Sequence, residues 1–117
     1  MAATNKSIAT AILDSMHGVV VFKEISPKFP EDTNAVTFLG KQGRIRIRKS
    51  GQVVRPDFRN NGRLTGGAEN LLYRLRADRE LALSLRQEAL TQLGNSNTTV
   101  LGVEIANSDA IEGAAEF

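Results

Sequence analysis

Apolar residues recur every four positions near the start of the chain, at Ile8, Ile12 and Met16. This spacing places them on one helical face and predicts an α-helix over residues 5–16. Thr4 or Asn5 is suited to cap the first turn, because either side chain can accept a hydrogen bond from a free backbone amide. Gly18 is expected to be the C-cap that ends the helix.

Runs of β-branched and aromatic residues predict strands further along the chain. Residues 19–25 are predicted as a strand whose β-branched run is too continuous for a strand with one face in solvent. A loop with two prolines and two acids follows at 26–34, and a second strand is predicted at 35–39. Apolar residues alternate again at 98–105, which predicts a strand near the carboxyl end.

The strictest alternation of polar and apolar residues lies at 43–48. A period of two puts Arg44, Arg46 and Arg48 on one face of a strand and the two intervening isoleucines on the other. The Ser-Gly pair at 50–51 is suited to a two-residue turn, because glycine readily adopts the positive φ that such a turn requires. The segment therefore predicts a β-hairpin.

The length of that turn sets the predicted register of the hairpin. With residues 50–51 as the loop, Ile47 lies opposite Val54, and Arg46 lies opposite Arg55 with both arginines exposed. Both isoleucines of the first strand and Val54 are then expected to be buried. Like charges directly opposite each other are destabilising, so the arginine pair indicates an anion nearby. The alternative is a charged strand that keeps the sheet soluble and its edge unpaired.

One long helix is predicted at residues 68–93, which are rich in Leu, Ala, Glu, Gln and Arg and contain neither Gly nor Pro. Its apolar arc covers more than half of the circumference, which is wide for a helix on one sheet. Two explanations stay open. Either the sheet and the N-terminal helix enclose it, with Arg79 and Arg86 reaching solvent between them, or a second apolar stripe packs against another copy of the protein.

These elements together predict one α+β domain over residues 1–117. It contains a mostly antiparallel sheet of about five strands, a short N-terminal helix, and one long helix packed on the sheet. A chain of 117 residues with 41% hydrophobic residues is large enough to bury a core.

Charge is unevenly distributed along this chain of net charge +2. Residues 41–63, the basic hairpin segment, hold eight basic side chains and one acid, a formal charge of +7. We expect this segment to bind a partner through a basic face. The residues of that face are Arg44, Arg46, Arg48, Arg55, Arg59 and Arg63.

An acidic C-terminal tail, residues 106–117, balances part of that charge. From residue 100 onward the chain contains four acids and no base. A basic patch and an acidic tail on one chain can pair between subunits, head to tail. The expected subunit contacts are Glu104, Asp109, Ile111, Glu112, Glu116 and Phe117.

Residues suited to catalysis are scarce. The chain has no cysteine, and its one histidine, His17, is expected to cap or pack a helix end. Neither a nucleophilic triad nor a nitrogen or sulfur metal cage can be built from this set. Residues 62–67 contain three glycines but lack the Gly-Lys-Ser/Thr ending of a phosphate-binding loop. We expect no enzyme activity, no cofactor, no metal and no small-molecule substrate.

Two segments bear on location. No apolar run approaches the roughly 20 residues that span a bilayer, and residues 1–7 lack the apolar core of a secretory signal. We therefore expect no membrane partner and a cytoplasmic protein, or a virion protein if the chain belongs to a particle.

The favoured hypothesis is a non-enzymatic, self-assembling or partner-docking structural subunit. Its partners would be copies of itself or another assembly subunit, as in phage and virus particles. The alternative is a sequence-tolerant nucleic-acid-binding domain that contacts phosphates with the Arg-rich hairpin face. With one Tyr, five Phe and no Trp, such a domain would have few side chains on which bases stack.

Overall fold

Three helices and a five-stranded antiparallel sheet make up the described part of the chain, which confirms the α+β class. The computed structural model describes residues 4–25, 28–40, 43–55 and 66–102, without the side chains of 66–69. The elements are α1 (Asn5–Asp14), β1 (Val20–Lys23), a 3₁₀ helix (Pro30–Asp32), β2 (Val36–Gly40), β3 (Gly43–Ile47), β4 (Val53–Val54), α2 (Gly66–Ala77), α3 (Arg79–Leu93) and β5 (Thr98–Val100). The strand order is β4-β3-β2-β1-β5.

One face of the sheet, the inner face, packs against the helices. Strand alternation and the observed pairing place six apolar residues there, all nearly or fully buried: Val21, Val36, Phe38, Ile45, Ile47 and Val53. They share one core with buried residues of all three helices. The expected burial of Ile45 and Ile47 is confirmed. In the strand predicted at 19–25, Val19 and Val21 are fully buried on this side, whereas Val20 and Phe22 are half-buried on the opposite face.

The first helix begins after the predicted N-cap, Thr4, but ends before the predicted C-cap, Gly18. The Thr4 side chain accepts a hydrogen bond from the Ser7 amide at 3.1 Å, and the Ser7 hydroxyl accepts one from the Thr4 amide. At the other end the C-cap is Ser15. Gly18, with φ +81°, instead donates its amide to the Leu101 carbonyl at 2.7 Å. Gly18 therefore starts the pairing with the last strand, and the prediction that it caps the helix is wrong.

The single helix predicted at 68–93 is two helices, α2 and α3, separated at Asp78. The Asp78 carboxylate accepts a hydrogen bond from the Leu81 amide at 3.1 Å and so caps the first turn of α3. Asp is suited to this position, because its short side chain can accept a hydrogen bond from a nearby backbone amide. This bond replaces the one that the amide would form in a continuous helix. The chain therefore ends one helix at Ala77 and starts a separately capped one at Arg79.

Helix α3 lies between α1 and the sheet, which accounts for its wide apolar arc. Of its two arginines within that arc, Arg79 is exposed, whereas Arg86 is half-buried. Arg86 Nη2 donates to the Asn34 carbonyl at 2.9 Å, and desolvation lowers the pKa of its guanidinium. Arg86 therefore ties α3 to the turn before β2 and does not simply extend into solvent.

The hairpin register differs by one residue from the predicted one. Arg46 pairs with Val54 and Ile47 pairs with Val53, so Arg46 does not lie opposite Arg55. The loop has three residues, because the Arg48 amide donates to the Gln52 carbonyl at 2.8 Å across it. Gly51, with φ +93°, occupies the left-handed position that such a loop requires. As a result Val53 is buried, and Val54 is half-buried on the other face.

Candidate docking surface

The predicted basic face divides into residues with different surroundings. Arg44 is exposed, Arg55 is half-buried, and Arg46 and Arg48 are held in ion pairs. The remaining two, Arg59 and Arg63, lie outside the described residues. So do all six expected subunit contacts, Glu104, Asp109, Ile111, Glu112, Glu116 and Phe117, and the acidic tail 106–117. Their predicted roles stay predictions.

Asp32 binds both arginines of the ion pairs. Its carboxylate lies 3.1 Å from Arg46 Nη1 and 2.9 Å from Arg48 Nε, and only 3% of Asp32 is exposed. The 3₁₀ helix Pro30–Asp32 fixes this residue: its amide donates to the Phe29 carbonyl, and its carbonyl accepts from the Ala35 amide. The proline-rich loop between the first two strands therefore supplies the counter-charge for β3.

Arg46 is satisfied on three sides. Besides Asp32, its Nη2 lies 2.8 Å from Glu24 Oε1, and its Nε donates to the Thr37 hydroxyl at 3.0 Å. That hydroxyl in turn donates to Glu24 at 3.1 Å. All three guanidinium nitrogens have partners, and two carboxylates already neutralise the charge. A phosphate that approached Arg46 would therefore be repelled by Glu24 and Asp32.

Arg48 is less enclosed. Its Nη1 donates to the Gln52 side chain at 2.8 Å, and its Nη2 lies 3.8 Å from Glu31, a half-exposed acid. We call Glu24, Asp32, Thr37, Arg46 and Arg48 the Asp32 cluster. The cluster contains two acids and two bases and carries no net charge, so two of the three arginines on the β3 face do not contribute to a free basic surface.

Sequence reasoning missed both acids of the cluster. A signal for one of them was present. Phe22 and Glu24 are two residues apart, so a strand places both on the same face. Phe22 pairs with Thr37, and Thr37 pairs with Arg46. Placing Glu24 beside Arg46 therefore needed the register of three strands. Asp32 comes from a loop, and no period in the sequence indicates where its side chain lies.

The face of the sheet away from the helices carries an apolar block. Val20 pairs with Leu39 on one side and with Val100 on the other, and Phe22 lies next along β1 on the same face. All four are half-buried, and none belongs to the core cluster or packs against it. We call Val20, Phe22, Leu39 and Val100 the outer patch. Leu39 pairs in turn with Arg44, so the one exposed arginine of the β3 face borders the patch.

A separate cleft of about 360 Å³ lies at the β4 edge of the sheet. Its walls are the hairpin end and the junction between α2 and α3: Gly51, Gln52, Val53, Val54, Leu75, Arg76 and Arg79. Arg76 Nε donates to the Val53 carbonyl at 3.1 Å, which fixes that side chain along the strand. We call this the edge cleft. Among the described residues that line it are two bases and no acid.

His17 lies in a second cavity, of about 300 Å³, where the described chain leaves β5. Its Nδ1 is 3.4 Å from the Gly102 carbonyl oxygen. Asp14 also lines the cavity, and of the described residues around it no other has an ionisable side chain. Across the described ranges no three His, Cys, Asp or Glu side chains are grouped so that they could hold a metal ion.

No protein-family model matches this chain, and no curated protein or solved structure is detectably similar to it. Among the helices that the structure describes, none has the length and apolar character needed to cross a membrane.

Proposed function

We propose that the chain is a non-enzymatic, self-assembling structural subunit that packs against a second copy through the outer patch. The observation that carries the proposal is the apolar block on a sheet face to which none of the described helices contributes. Two sheets that pack face to face bury such blocks between them, with the strands at a small angle. Contiguous apolar residues that are only half-buried by their own subunit can be covered further by a partner.

The size of the sheet limits what this contact can supply. Four strand spacings of about 4.8 Å and five residues of about 3.3 Å give a face of roughly 19 by 17 Å, or about 300 Å². Stable interfaces bury about 800 Å² on each partner. The patch is therefore the centre of an interface that must extend to other elements, or one of two contacts in an assembly. Membership of a phage or virus particle, and a cytoplasmic or virion location, stay predictions.

We expect Leu39→Glu to lower the molar mass in solution without unfolding the subunit. Leu39 pairs with Arg44, so the new carboxylate gains a cross-strand partner of opposite charge in the monomer. In an interface the same carboxylate would be desolvated, which costs far more than the pair returns. Light scattering over a concentration series measures the mass, and thermal unfolding at low concentration reports on the fold.

Tyr73→Glu is the matched control, because Tyr73 is a large, 57%-exposed side chain on α2, away from the outer patch. It should leave the mass unchanged. A wild-type protein that is monomeric at high concentration, or a Leu39→Glu variant with wild-type mass, contradicts the proposal.

Of the described arginines in the predicted basic face, Arg44 is the exposed one, and a test of the nucleic-acid alternative on the β3 face therefore begins with it. If nucleic acid binds this face, Arg44→Ala should lower the slope of log affinity against log salt by about one. Arg46→Ala should instead destabilise the fold, because it leaves Asp32 and Glu24 short of a partner. A mobility-shift assay at low salt that shows no complex with the wild-type protein would remove this alternative.

A further inference from the structure

We propose that the edge cleft is an acidic-peptide site, and that its occupant is the C-terminal tail, residues 106–117, of a second copy. This inference rests on the proposed self-assembly and supplies a second contact beside the outer patch. It also moves the predicted basic docking site from the face of β3 to the edge of the sheet.

The bases of the cleft differ from those of the Asp32 cluster in what surrounds them. Arg76 and Arg79 are both exposed, and neither forms an ion pair with a carboxylate of the described residues. Arg76 Nε donates to the Val53 carbonyl, and this bond orients the guanidinium. An anion can bind the two terminal nitrogens without breaking it. A carboxylate entering here therefore displaces no existing ion pair within that part of the chain.

The rest of the cleft indicates what kind of anion fits. Val53, Val54 and Leu75 supply apolar lining beside the two guanidiniums. A volume of about 360 Å³ is enough for a few side chains. The tail has carboxylates next to large apolar residues at Ile111-Glu112 and Glu116-Phe117. An acidic and apolar peptide matches this lining better than a free inorganic anion, which would leave the apolar part unused.

The positions of the two sheet edges favour a second copy as the source of the tail. The described chain ends after β5, at one edge, whereas the cleft lies beside β4, at the other. Within one chain the tail would have to lie across about 19 Å of sheet. The fifteen residues after Gly102 can span that distance when extended, so the mixing experiment below decides between the two sources. Between copies arranged edge to edge, the tail leaves one sheet where the cleft of the next begins. Such a head-to-tail contact repeats from subunit to subunit.

Charge reversal tests this pairing with the full-length protein. Arg76→Glu with Arg79→Glu reverses the cleft, and Glu112→Lys with Glu116→Lys reverses the tail. Each double variant should weaken self-association by about tenfold or more, because like charges then face each other. An equimolar mixture of the two should recover the wild-type mass, since each tail again meets a cleft of opposite charge. Arg74→Glu with Lys6→Glu is the matched control, because both residues are exposed and lie outside the cleft.

The mixture distinguishes a tail that binds its neighbour from one that binds its own chain, because only binding between chains gives recovery. No loss of mass in either double variant, or no recovery in the mixture, overturns the inference. If circular dichroism shows that the cleft double variant is unfolded, Arg79→Glu alone replaces it in the same mixture. Failure here together with a mass loss in Leu39→Glu would leave the proposed function standing, whereas a monomeric wild type would remove both.

Discussion

Replacing Asp32 with asparagine should lower the free energy of unfolding by about 2–4 kcal/mol, towards the lower end of the cost of removing one partner from a buried ion pair. Asp32 is the only group that contacts both Arg46 and Arg48 among the described ion pairs. Asparagine keeps the size of the side chain but removes its charge and turns one acceptor into a donor. The side chains of Arg46 and Arg48 are 16% and 18% exposed, so water can replace part of the lost ion pairing.

Glu31→Gln provides a control one residue away in the sequence. Glu31 lies 3.8 Å from Arg48 and its side chain is 53% exposed, so its removal should cost less than about 0.5 kcal/mol. Urea unfolding followed by circular dichroism gives both values under one set of conditions. Equal losses in the two variants would mean that the Asp32 cluster contributes no more than a surface ion pair.

The stability of this cluster also bears on function, because it decides how much of the basic segment is available to a partner. Counting charges along residues 41–63 gives +7, but counting cannot show which charges are neutralised by residues distant in sequence. Glu24 and Asp32 reach β3 only because three strands pair in one register and the 3₁₀ helix folds over the sheet. A prediction from one segment could therefore find the arginines but not their partners.

The strands were predictable because the alternation at 43–48 and the apolar run at 19–25 each reflect a local, repeated choice between core and solvent. The hairpin register was not, because it depends on one residue of loop length. A glycine at position 51 is compatible with a two-residue or a three-residue loop, and a shift of one residue exchanges the faces of Val53 and Val54. In the three-residue loop Val53 enters the core, opposite Ile47.

The helix break could have been found in the sequence. Asp78 is followed by Glu80 and Leu81, a pattern typical of a helix start, since Asp caps and an acid in the first turn suits the helix dipole. The helix propensity summed over residues 68–93 hides this signal, because a single Asp lowers that sum only slightly. The break places Arg76 and Arg79 on either side of a junction that borders the hairpin, and the edge cleft follows from it.

Replacing Gly51 with alanine should lower the free energy of unfolding by about 2–3 kcal/mol, combining the cost of a left-handed backbone with that of a close contact. Gly51 has φ +93°, and a Cβ added there would lie 2.8 Å from Arg79 Cγ and 3.1 Å from Leu83 Cγ. Neither atom is the free end of a side chain that can move at no cost. The three-residue loop and its approach to α3 therefore both require glycine.

Two further variants separate these costs. Gly51→Asn tolerates the left-handed conformation better than alanine but keeps a Cβ, so its loss should fall between those of the wild type and Gly51→Ala. Arg79→Ala removes the nearest atom, and in that background Gly51→Ala should cost about 1 kcal/mol less, which a double-mutant cycle measures as a coupling energy. A cost that is the same in both backgrounds would show that the contact with Arg79 does not restrict position 51. A Gly51→Ala variant as stable as the wild type would contradict the three-residue loop itself.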